Sequence, residues 1–154
     1  MKKIASLLII ILIGVAVGAD AAAKPRKFYL TVNEFDGNEA LTACATGYHI
    51  ASLWEILDVS HLRYDTTLGF RLDDSGFGPP IAYPGWIRTG YQSTSTADQP
   101  GTANCSAWMS DSDIHFGSTV HLHTSWTDPG SEISPWFADS ITCQFRPKVW
   151  CVED

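Results

Sequence analysis

Histidines at alternate positions are the residues of this sequence that could most readily bind a metal. His121 and His123 are separated by one residue, and on a β-strand that spacing places both side chains on one face. His115 is close enough in sequence to approach them, and imidazole nitrogen is a common zinc ligand. Because such pairs also occur on ordinary strand surfaces, we assign no metal and retain these three histidines only as alternative zinc ligands.

Acidic loops are the second group that could do chemistry. Asp111 and Asp113 alternate as in a calcium loop, but position 122, where an EF-hand needs glutamate, is Leu122. The aspartates at positions 73 and 74 lie in another glycine-rich stretch without a full ligand set. We interpret all of them as turn-forming residues.

The sequence contains no recognisable catalytic motif. It lacks the Gly-x-Ser-x-Gly nucleophile elbow, the His-Glu-x-x-His zinc motif and a phosphate-binding loop. The many carboxylates in loops do not by themselves indicate two acids facing across a cleft. We therefore expect a protein that is not an enzyme.

Four cysteines could form two disulfides and leave no free thiol. Cys143 and Cys151 lie close to the end of the chain, and the run between them leads into an apolar, strand-like segment. Their partners are either each other or the earlier Cys44 and Cys105, and three pairings are open. Bonds to the earlier cysteines would close longer loops and constrain more of the unfolded chain.

The N-terminal segment predicts export from the cytoplasm. Residues 1–23 combine two lysines, an apolar run too short to span a bilayer, and small residues suited to signal cleavage. Export agrees with the use of disulfides and predicts a secreted protein, extracellular or periplasmic, without stable membrane insertion. The formal net charge of −7 makes nucleic acid and heparin-like polyanions improbable partners.

Short strands and helices must position the histidines, acidic residues and cysteines described above. The segment 27–32 alternates apolar and polar residues and predicts a first strand with one buried face. Asp36 with Glu39 predicts the start of a first helix that ends before Gly47. Ser52 with Glu55 predicts a second helix, whose apolar stripe of residues 53, 56 and 57 continues toward position 62.

The remainder of the sequence, from residue 64 onward, predicts short strands separated by loops. A loop-like stretch occupies residues 64–84, and the apolar runs that follow lie at residues 86–91, 105–109, 119–126, 136–141 and 148–152. No repeat or linker divides residues 24–154, so we expect one α+β domain after the signal peptide.

Several of these segments, in this order, resemble the C-type-lectin-like domain family. Cys44 followed by Gly47–Leu53 resembles the first-helix cysteine and the Gly-Gly-His-Leu-Ala-Ser segment, and Gly85–Gly90 resembles the Trp-Ile-Gly core strand. Asn104-Cys105 and the spacing from Cys143 to Cys151 complete the pattern, whose ending is similar to the endostatin-like branch. The resemblance covers residues 27–153. It implies two short helices packed on small, mostly antiparallel sheets, with disulfides Cys44–Cys151 and Cys105–Cys143.

The same resemblance locates a possible calcium site, which this chain matches only in part. Gln99 and Pro100 correspond to the first residues of the family's calcium loop, but Gly101 stands where a ligand should follow. Asp139 and Ser140 replace the asparagine and aspartate of the second ligand segment. Calcium prefers six to eight oxygen ligands, so we expect no cofactor, with calcium or zinc as the alternatives.

Two tryptophans, Trp126 and Trp136, flank a stretch rich in proline and glycine and could present exposed rings to a ligand. We expect a binding surface in the loops 73–100 and 127–139, with Trp136 as its anchor and with Trp126, Gln99 and Asp139 as further contacts. The sequence thus predicts a secreted, non-catalytic binding module that recognises a glycan or a protein surface. The alternatives are a metal-dependent extracellular enzyme and a structural cell-surface protein.

Overall fold

A computed structural model describes residues 24–92, 97–124 and 136–154 of the chain. The signal-peptide prediction concerns residues 1–23, which lie outside this part. The strands are β1 (Arg26–Leu30), β2 (Tyr48–Ile50), β3 (Leu62–Tyr64), β4 (Gly85–Trp86), β5 (Phe116–Leu122), β6 (Trp136–Thr142) and β7 (Lys148–Glu153). The helices are α1 (Leu53–Leu57) and α2 (Cys105–Trp108), with 3₁₀ turns at Ala40–Thr42 and Val59–His61. The fold class is therefore α+β, as predicted.

The strands form one mixed sheet in the order β3-β1-β7-β4-β5-β6, and β2 also pairs with β7. The pairs β1–β7, β2–β7, β4–β5 and β5–β6 are antiparallel, whereas β1–β3 and β4–β7 are parallel. The last strand, β7, lies at the centre of this sheet. Its residues Val149, Trp150, Cys151 and Val152 are fully buried, so the end of the chain organises the core.

Both faces of β1 are buried, contrary to the predicted alternation. Tyr29 and Thr31 are 3% and 4% exposed, while Val32, predicted to face the core, is 59% exposed. The reason is that aromatic rings cover both faces of β1: Phe28 packs on Tyr64 and Trp150, and Tyr29 packs on Tyr48. The Tyr29 ring packs edge-on against Tyr48, and its hydroxyl oxygen accepts a hydrogen bond from the Ala45 N–H at 2.7 Å.

The predicted first helix is reduced to the 3₁₀ turn at Ala40–Thr42. Glu39 accepts a hydrogen bond from the Asp36 N–H at 3.1 Å, but no side chain caps the turn in return. Arg146 instead engages the carboxylates of both Asp36 and Glu39, at 2.9 and 3.3 Å. The Gly37 N–H donates to the Cys143 carbonyl, which holds this segment against the β6–β7 turn in place of a regular helix.

The second predicted helix is present but shorter than expected. Ser52 and Glu55 form both halves of a capping box at the start of α1. The helix ends at Leu57, which is 50% exposed, and Leu62 begins β3 rather than extending the helix.

The disulfides join Cys44 to Cys151 and Cys105 to Cys143, the pairs that the resemblance implied. The region predicted as a strand around Cys105 is the helical turn α2. All four of its residues have positive φ, between 47° and 61°. Packing fixes this unfavourable backbone, because Trp108 lies edge-on to Trp86 with 5.8 Å between ring centroids and Cys105 is held by its disulfide.

Candidate functional site

The segment that resembles a calcium loop is a closed turn. The Gln99 carbonyl accepts hydrogen bonds from the N–H groups of Thr102 and Ala103 at 3.0 and 3.1 Å. The Gly101 N–H donates to the Ser118 hydroxyl oxygen at 3.0 Å, which fixes the turn against β5. The chain's own hydrogen bonds therefore hold this segment as a turn, and Gly101 adds no side-chain oxygen to it.

Strand β6 lies beside this turn, where the resemblance places the second ligand segment. The Ser140 hydroxyl donates a hydrogen bond to the Asp98 carbonyl and so bridges the two segments directly. Asp139 is exposed, and its Oδ1 accepts a hydrogen bond from the Ser140 N–H at 2.7 Å. Gln99 and Asp139 therefore lie on neighbouring segments. The hydrogen bond that joins these segments is made by Ser140 and Asp98 and not by Gln99 and Asp139.

Metal ligands do not cluster elsewhere in the part of the chain that the structure describes. Across residues 24–92, 97–124 and 136–154, no three His, Cys, Asp or Glu side chains form a group that could hold a metal ion.

The two alternating histidines share a face of the sheet, whereas His115 does not join them. The rings of His121 and His123 lie 5.1 and 5.7 Å from that of Phe137, which pairs with His121 across β5 and β6. His115 precedes the start of β5 and bonds Ser110 through Nδ1 at 2.7 Å. Six residues of extended chain place it roughly 20 Å from His121, so the predicted approach of His115 is wrong.

His121 is suited to packing rather than to carrying charge. Burial lowers its pKa, the neighbouring His123 lowers it further, and Asp139 partly opposes both effects. The imidazole of His121 is therefore neutral at pH 7 and packs on Phe137 as part of the sheet surface.

Trp136 belongs to the core, so its prediction as an exposed anchor is wrong. Its side chain is 8% exposed, and its ring lies perpendicular to Trp150 at a centroid distance of 5.2 Å. The pairing of Trp136 with Leu122 at the end of β5 places the indole over the central strand. Trp126, the other predicted contact, lies outside the described residues.

Trp54 is the exposed tryptophan of the described chain. Its side chain is 78% exposed, whereas Trp86, Trp108, Trp136 and Trp150 are at most 8% exposed. The sequence interpretation singled out Trp126 and Trp136 as exposed rings and did not select Trp54. A signal was available, because Trp54 lies about 200° around the helix from the buried Ile56 and outside the apolar stripe.

Trp54 lines a shallow depression of about 280 Å³ with charged groups at its edge. The lining residues are Arg26, Trp54, Glu55, Asp58, His61 and Leu62. The exposed Trp54 ring gives the depression a flat apolar surface, and the neighbouring Asp58 and His61 provide groups that can form hydrogen bonds.

Hydrogen bonds and ion pairs fix the helix that carries Trp54. Glu55 closes the capping box with Ser52 and pairs with Arg26 at 3.0 Å and with His49 at 3.1 Å. Arg26 also donates through Nε to the Glu153 carbonyl at 2.7 Å, which ties α1 to β1 and β7. Partial burial opposes ionisation of Glu55, but the bonds from Ser52, Arg26 and His49 outweigh it and lower its pKa to about 2.

A serine, a histidine and an aspartate meet beside Trp54 without forming a catalytic triad. His61 Nδ1 lies 2.9 Å from Asp58 Oδ2 and 3.0 Å from the Ser60 hydroxyl, which itself donates to Asp58 Oδ1. A triad needs the acid on one ring nitrogen and the nucleophile on the other. Here both partners face the same nitrogen, so the trio has the geometry of a turn.

The loop 65–84 carries a second exposed aromatic ring, Phe77, which is 90% exposed. A groove of about 330 Å³ lies in the same loop, lined by Leu72, Asp74, Ser75, Pro79, Pro80 and Ile81. The Ala82 N–H donates to the Leu122 carbonyl at 3.0 Å, which fastens the loop to the end of β5. Phe77 thus provides an exposed aromatic ring on a different segment from Trp54.

No family model matches the chain, and neither a curated protein nor a solved structure matches it significantly. Within the described ranges, none of the helices has the length and apolar character needed to cross a bilayer.

Proposed function

We propose that the protein is an exported, non-catalytic binding module of the C-type-lectin-like type, and that it recognises a glycan through Trp54. The observation that carries this proposal is the 78% exposed indole on a helix that hydrogen bonds hold in place. An exposed indole offers a large, flat apolar surface that a ligand can bury favourably. A rigid helix presents the ring at little entropic cost on binding.

Three features support the lectin-like assignment. The disulfides Cys44–Cys151 and Cys105–Cys143 have the pairing that the family uses. The Gly-Trp-Ile segment forms β4 and pairs with both β5 and β7. The Asp98–Ser140 hydrogen bond brings together the two segments that correspond to the family's ligand loops. Two disulfides are also typical of exported proteins.

A sugar fits the surroundings of Trp54 better than an apolar protein surface does. The face of an indole ring accommodates the C–H face of a pyranose, and the ring's edge is bordered by Asp58 and His61. Hydrogen bonds from Ser60 and then from His61 lower the pKa of Asp58, so its carboxylate stays ionised and accepts hydrogen bonds from hydroxyl groups. This pairing of one apolar face with convergent polar groups is typical of small-ligand sites.

The charges around Trp54 favour a neutral glycan. Arg26 is already paired with Glu55, and Asp58 leaves a negative charge at the edge of the depression. The whole chain carries a net charge of −7, which repels extended polyanions. We expect this binding to be independent of calcium, because Gly101 supplies no side-chain ligand and the Ser140 hydroxyl is bonded to the Asp98 carbonyl.

A pull-down on insoluble neutral polysaccharides and a screen of soluble neutral glycans test the proposal. Trp54→Ala is expected to reduce retention by tenfold or more, since aromatic anchors dominate such interfaces at about 2 kcal/mol each. The matched control is Phe77→Ala, which removes another exposed aromatic ring and should leave retention unchanged. Loss of retention in Phe77→Ala alone would support the loop 73–100 as the binding surface instead of Trp54. Both variants should keep the native melting temperature.

The same assay separates the competing interpretations. Equal binding by Trp54→Ala and the native protein would overturn the assignment of Trp54. Failure to bind any neutral glycan, together with Trp54-dependent capture of one defined protein, would show that the occupant is a protein surface. Loss of binding in chelator, restored by calcium, would contradict the proposed calcium independence.

A further inference from the structure

A separate pocket lies between the end of β4 and α2. Its volume is about 140 Å³, and it is lined by Leu41, Arg88, Thr89, Gly90, Tyr91, Asn104, Ala107 and Trp108. This is smaller than the ~300–1,000 Å³ of sites for drug-sized ligands, so it suits a single ring or the end of a longer ligand.

The charge of this pocket differs from that of the protein. Arg88 is its one charged lining residue, and no carboxylate is among the residues named above, although the chain carries a net charge of −7. The depressions lined by Glu34, Asp74 and Trp54 each include at least one acidic residue, and the one between Tyr29 and Leu68 has no charged lining residue. The Arg88 pocket is thus a local positive site on an acidic protein.

The backbone of Arg88 is fixed while its guanidinium remains available. The Arg88 N–H donates to the Ala51 carbonyl at 2.9 Å, and the Arg88 carbonyl accepts from the Leu53 N–H at 2.7 Å. Among the described residues, no ion pair or side-chain hydrogen bond involves the exposed guanidinium, whereas Arg26, Arg71 and Arg146 have such contacts; Arg63 also lacks them but does not line this pocket. An arginine without an acidic partner can donate two hydrogen bonds to a carboxylate in a bidentate pair.

The other polar groups at the pocket also leave hydrogen-bond donors. The Thr89 hydroxyl oxygen accepts from the Tyr91 N–H at 3.3 Å, so its hydrogen can point to a ligand. The Asn104 side chain donates one hydrogen bond to the Gln92 carbonyl and accepts one from the Ala107 N–H, which fixes its position. The Arg88 guanidinium and the Thr89 hydroxyl can therefore donate hydrogen bonds to a ligand carboxylate.

Apolar surfaces complete the pocket. Tyr91 is 52% exposed and Leu41 is 45% exposed, while Trp108 is only 7% exposed. The edge-on contact of Trp108 with Trp86 and the adjoining disulfide of Cys105 keep this part of the pocket rigid. These surfaces can pack against the C–H face of a sugar ring.

We propose that this pocket binds a carboxylate-bearing sugar unit of the hexuronate type. Arg88 pairs with the carboxylate, Thr89 donates a hydrogen bond to it or to a ring hydroxyl, and Tyr91 packs on the ring. The pocket has room for one such unit, while the acidic remainder of the protein disfavours a long polyanion. This site is distinct from Trp54, so either can exist without the other.

Ligand-observed NMR and calorimetry with D-glucuronate test the site. We expect saturable binding with a Kd of about 1 mM or tighter. The methyl ester of glucuronic acid, which has the same ring without the charge, and D-glucose should bind at least about tenfold more weakly. N-acetyl-glycine provides a peptide-like carboxylate of the same charge without the sugar ring and should also bind more weakly, because it cannot pack on Tyr91.

Variants distinguish the pocket from general charge. Arg88→Gln should weaken glucuronate binding at least about tenfold, and Arg88→Lys should restore only part of it, since lysine cannot form the bidentate pair. Arg63→Gln removes an exposed arginine outside the pocket and should have no effect. Unchanged near-ultraviolet circular dichroism would show that the variants are folded.

Three outcomes would overturn the proposal: equal affinity for glucose and glucuronate, equal affinity of Arg88→Gln and the native protein, or no saturable glucuronate binding. Tighter binding of N-acetyl-glycine than of glucuronate would contradict the sugar assignment and would assign the pocket to a peptide carboxylate. Because Trp54 is not part of this pocket, Trp54→Ala should bind glucuronate normally even if neutral glycans are not recognised.

Discussion

The indole ring of Trp136 lies edge-on against that of Trp150, with 5.2 Å between the ring centroids and 89° between the ring planes. Trp150 lies on the central strand β7 and is completely buried, and Trp136 begins the edge strand β6. Edge-to-face geometry of this kind adds to the stabilisation that comes from burying both rings. Trp136 therefore joins the edge of the sheet to its centre.

Replacement of Trp136 should act on stability rather than directly on binding. Trp136→Ala removes an almost fully buried indole and is expected to lower the free energy of unfolding by about 3–5 kcal/mol. Urea denaturation measures this change. The control is Phe137→Ala at the next position of β6, where the side chain is 44% exposed and the loss should be clearly smaller. A loss below about 1 kcal/mol for Trp136→Ala would contradict its place in the core.

The two disulfides should contribute unequally. The bond Cys44–Cys151 spans 107 residues of sequence, and Cys105–Cys143 spans 38. The loop-entropy relation gives about 5 kcal/mol for the longer loop and about 4 kcal/mol for the shorter one. The paired serine variants, compared by urea denaturation under oxidising conditions, should therefore rank in that order. The reverse order would mean that unfolded-state loop entropy does not dominate, and peptide mapping that recovered a Cys143–Cys151 bond would contradict the pairing itself.

The sequence predicted the elements whose signals are local. The capping box of Ser52 and Glu55 predicts α1 because both hydrogen bonds form within four residues. The terminal strand was predicted from the apolar run 148–152, which forms β7. The first helix was not predicted correctly, because the carboxylates of Asp36 and Glu39 bind Arg146, a residue more than one hundred positions later.

The candidate site depended more on tertiary contacts. The run 136–141 was predicted as a strand, but Trp136 directly follows a stretch rich in proline and glycine, which suggested an exposed ring; the contact with Trp150 buries it instead. For Trp54 the local sequence was sufficient, because the period of the helix places it on the side of α1 opposite to the buried Ile56. The Arg88 pocket joins three distant segments, around Leu41, Arg88 and Asn104, and no local pattern could indicate it.

The stability of the protein should fall in acid partly through Glu55. Partial burial disfavours its charge, but hydrogen bonds from Ser52, Arg26 and His49 lower its pKa from the ordinary 4.5 to about 2 in the folded protein. A carboxyl group with a lowered folded-state pKa stabilises the fold fully above pH 4.5. That stabilisation is lost as the pH falls from about 4.5 to about 2.

Glu55→Gln isolates this contribution. Its free energy of unfolding should lie below that of the native protein at pH 7 by on the order of 1 kcal/mol after allowance for solvent screening, and the gap should close towards pH 2. Asp65, whose pKa is also lowered to about 2, remains in both proteins and so does not affect the difference. Asp73→Asn, on the exposed loop, provides the control. A gap that is the same at pH 7 and pH 2 would show that packing, not ionisation, makes the difference.

Gly85 should tolerate no side chain, because β4 lies directly against the core. A Cβ atom at this position would approach Leu30 Cδ1 and Trp150 Cδ1 to 2.6 Å, and both of these side chains are completely buried. Trp150 cannot easily move away, since its Nε1 donates a hydrogen bond to the Val120 carbonyl at 2.8 Å. Gly85→Ala is therefore expected to lower the free energy of unfolding by about 1–3 kcal/mol.

The matched control is Gly78→Ala in the exposed loop. The nearest heavy atom to a Cβ there is the Ser75 carbonyl oxygen at 3.7 Å, an ordinary contact distance, so the change should be within about 0.5 kcal/mol of zero. Urea denaturation of both variants measures the difference between the two sites. If Gly85→Ala were as stable as Gly78→Ala, β4 could not lie as close to Leu30 and Trp150 as described. The contribution of the Gly-Trp-Ile segment to the core would then come only from Trp86 in β4 and from Ile87 directly after it, both of which are fully buried.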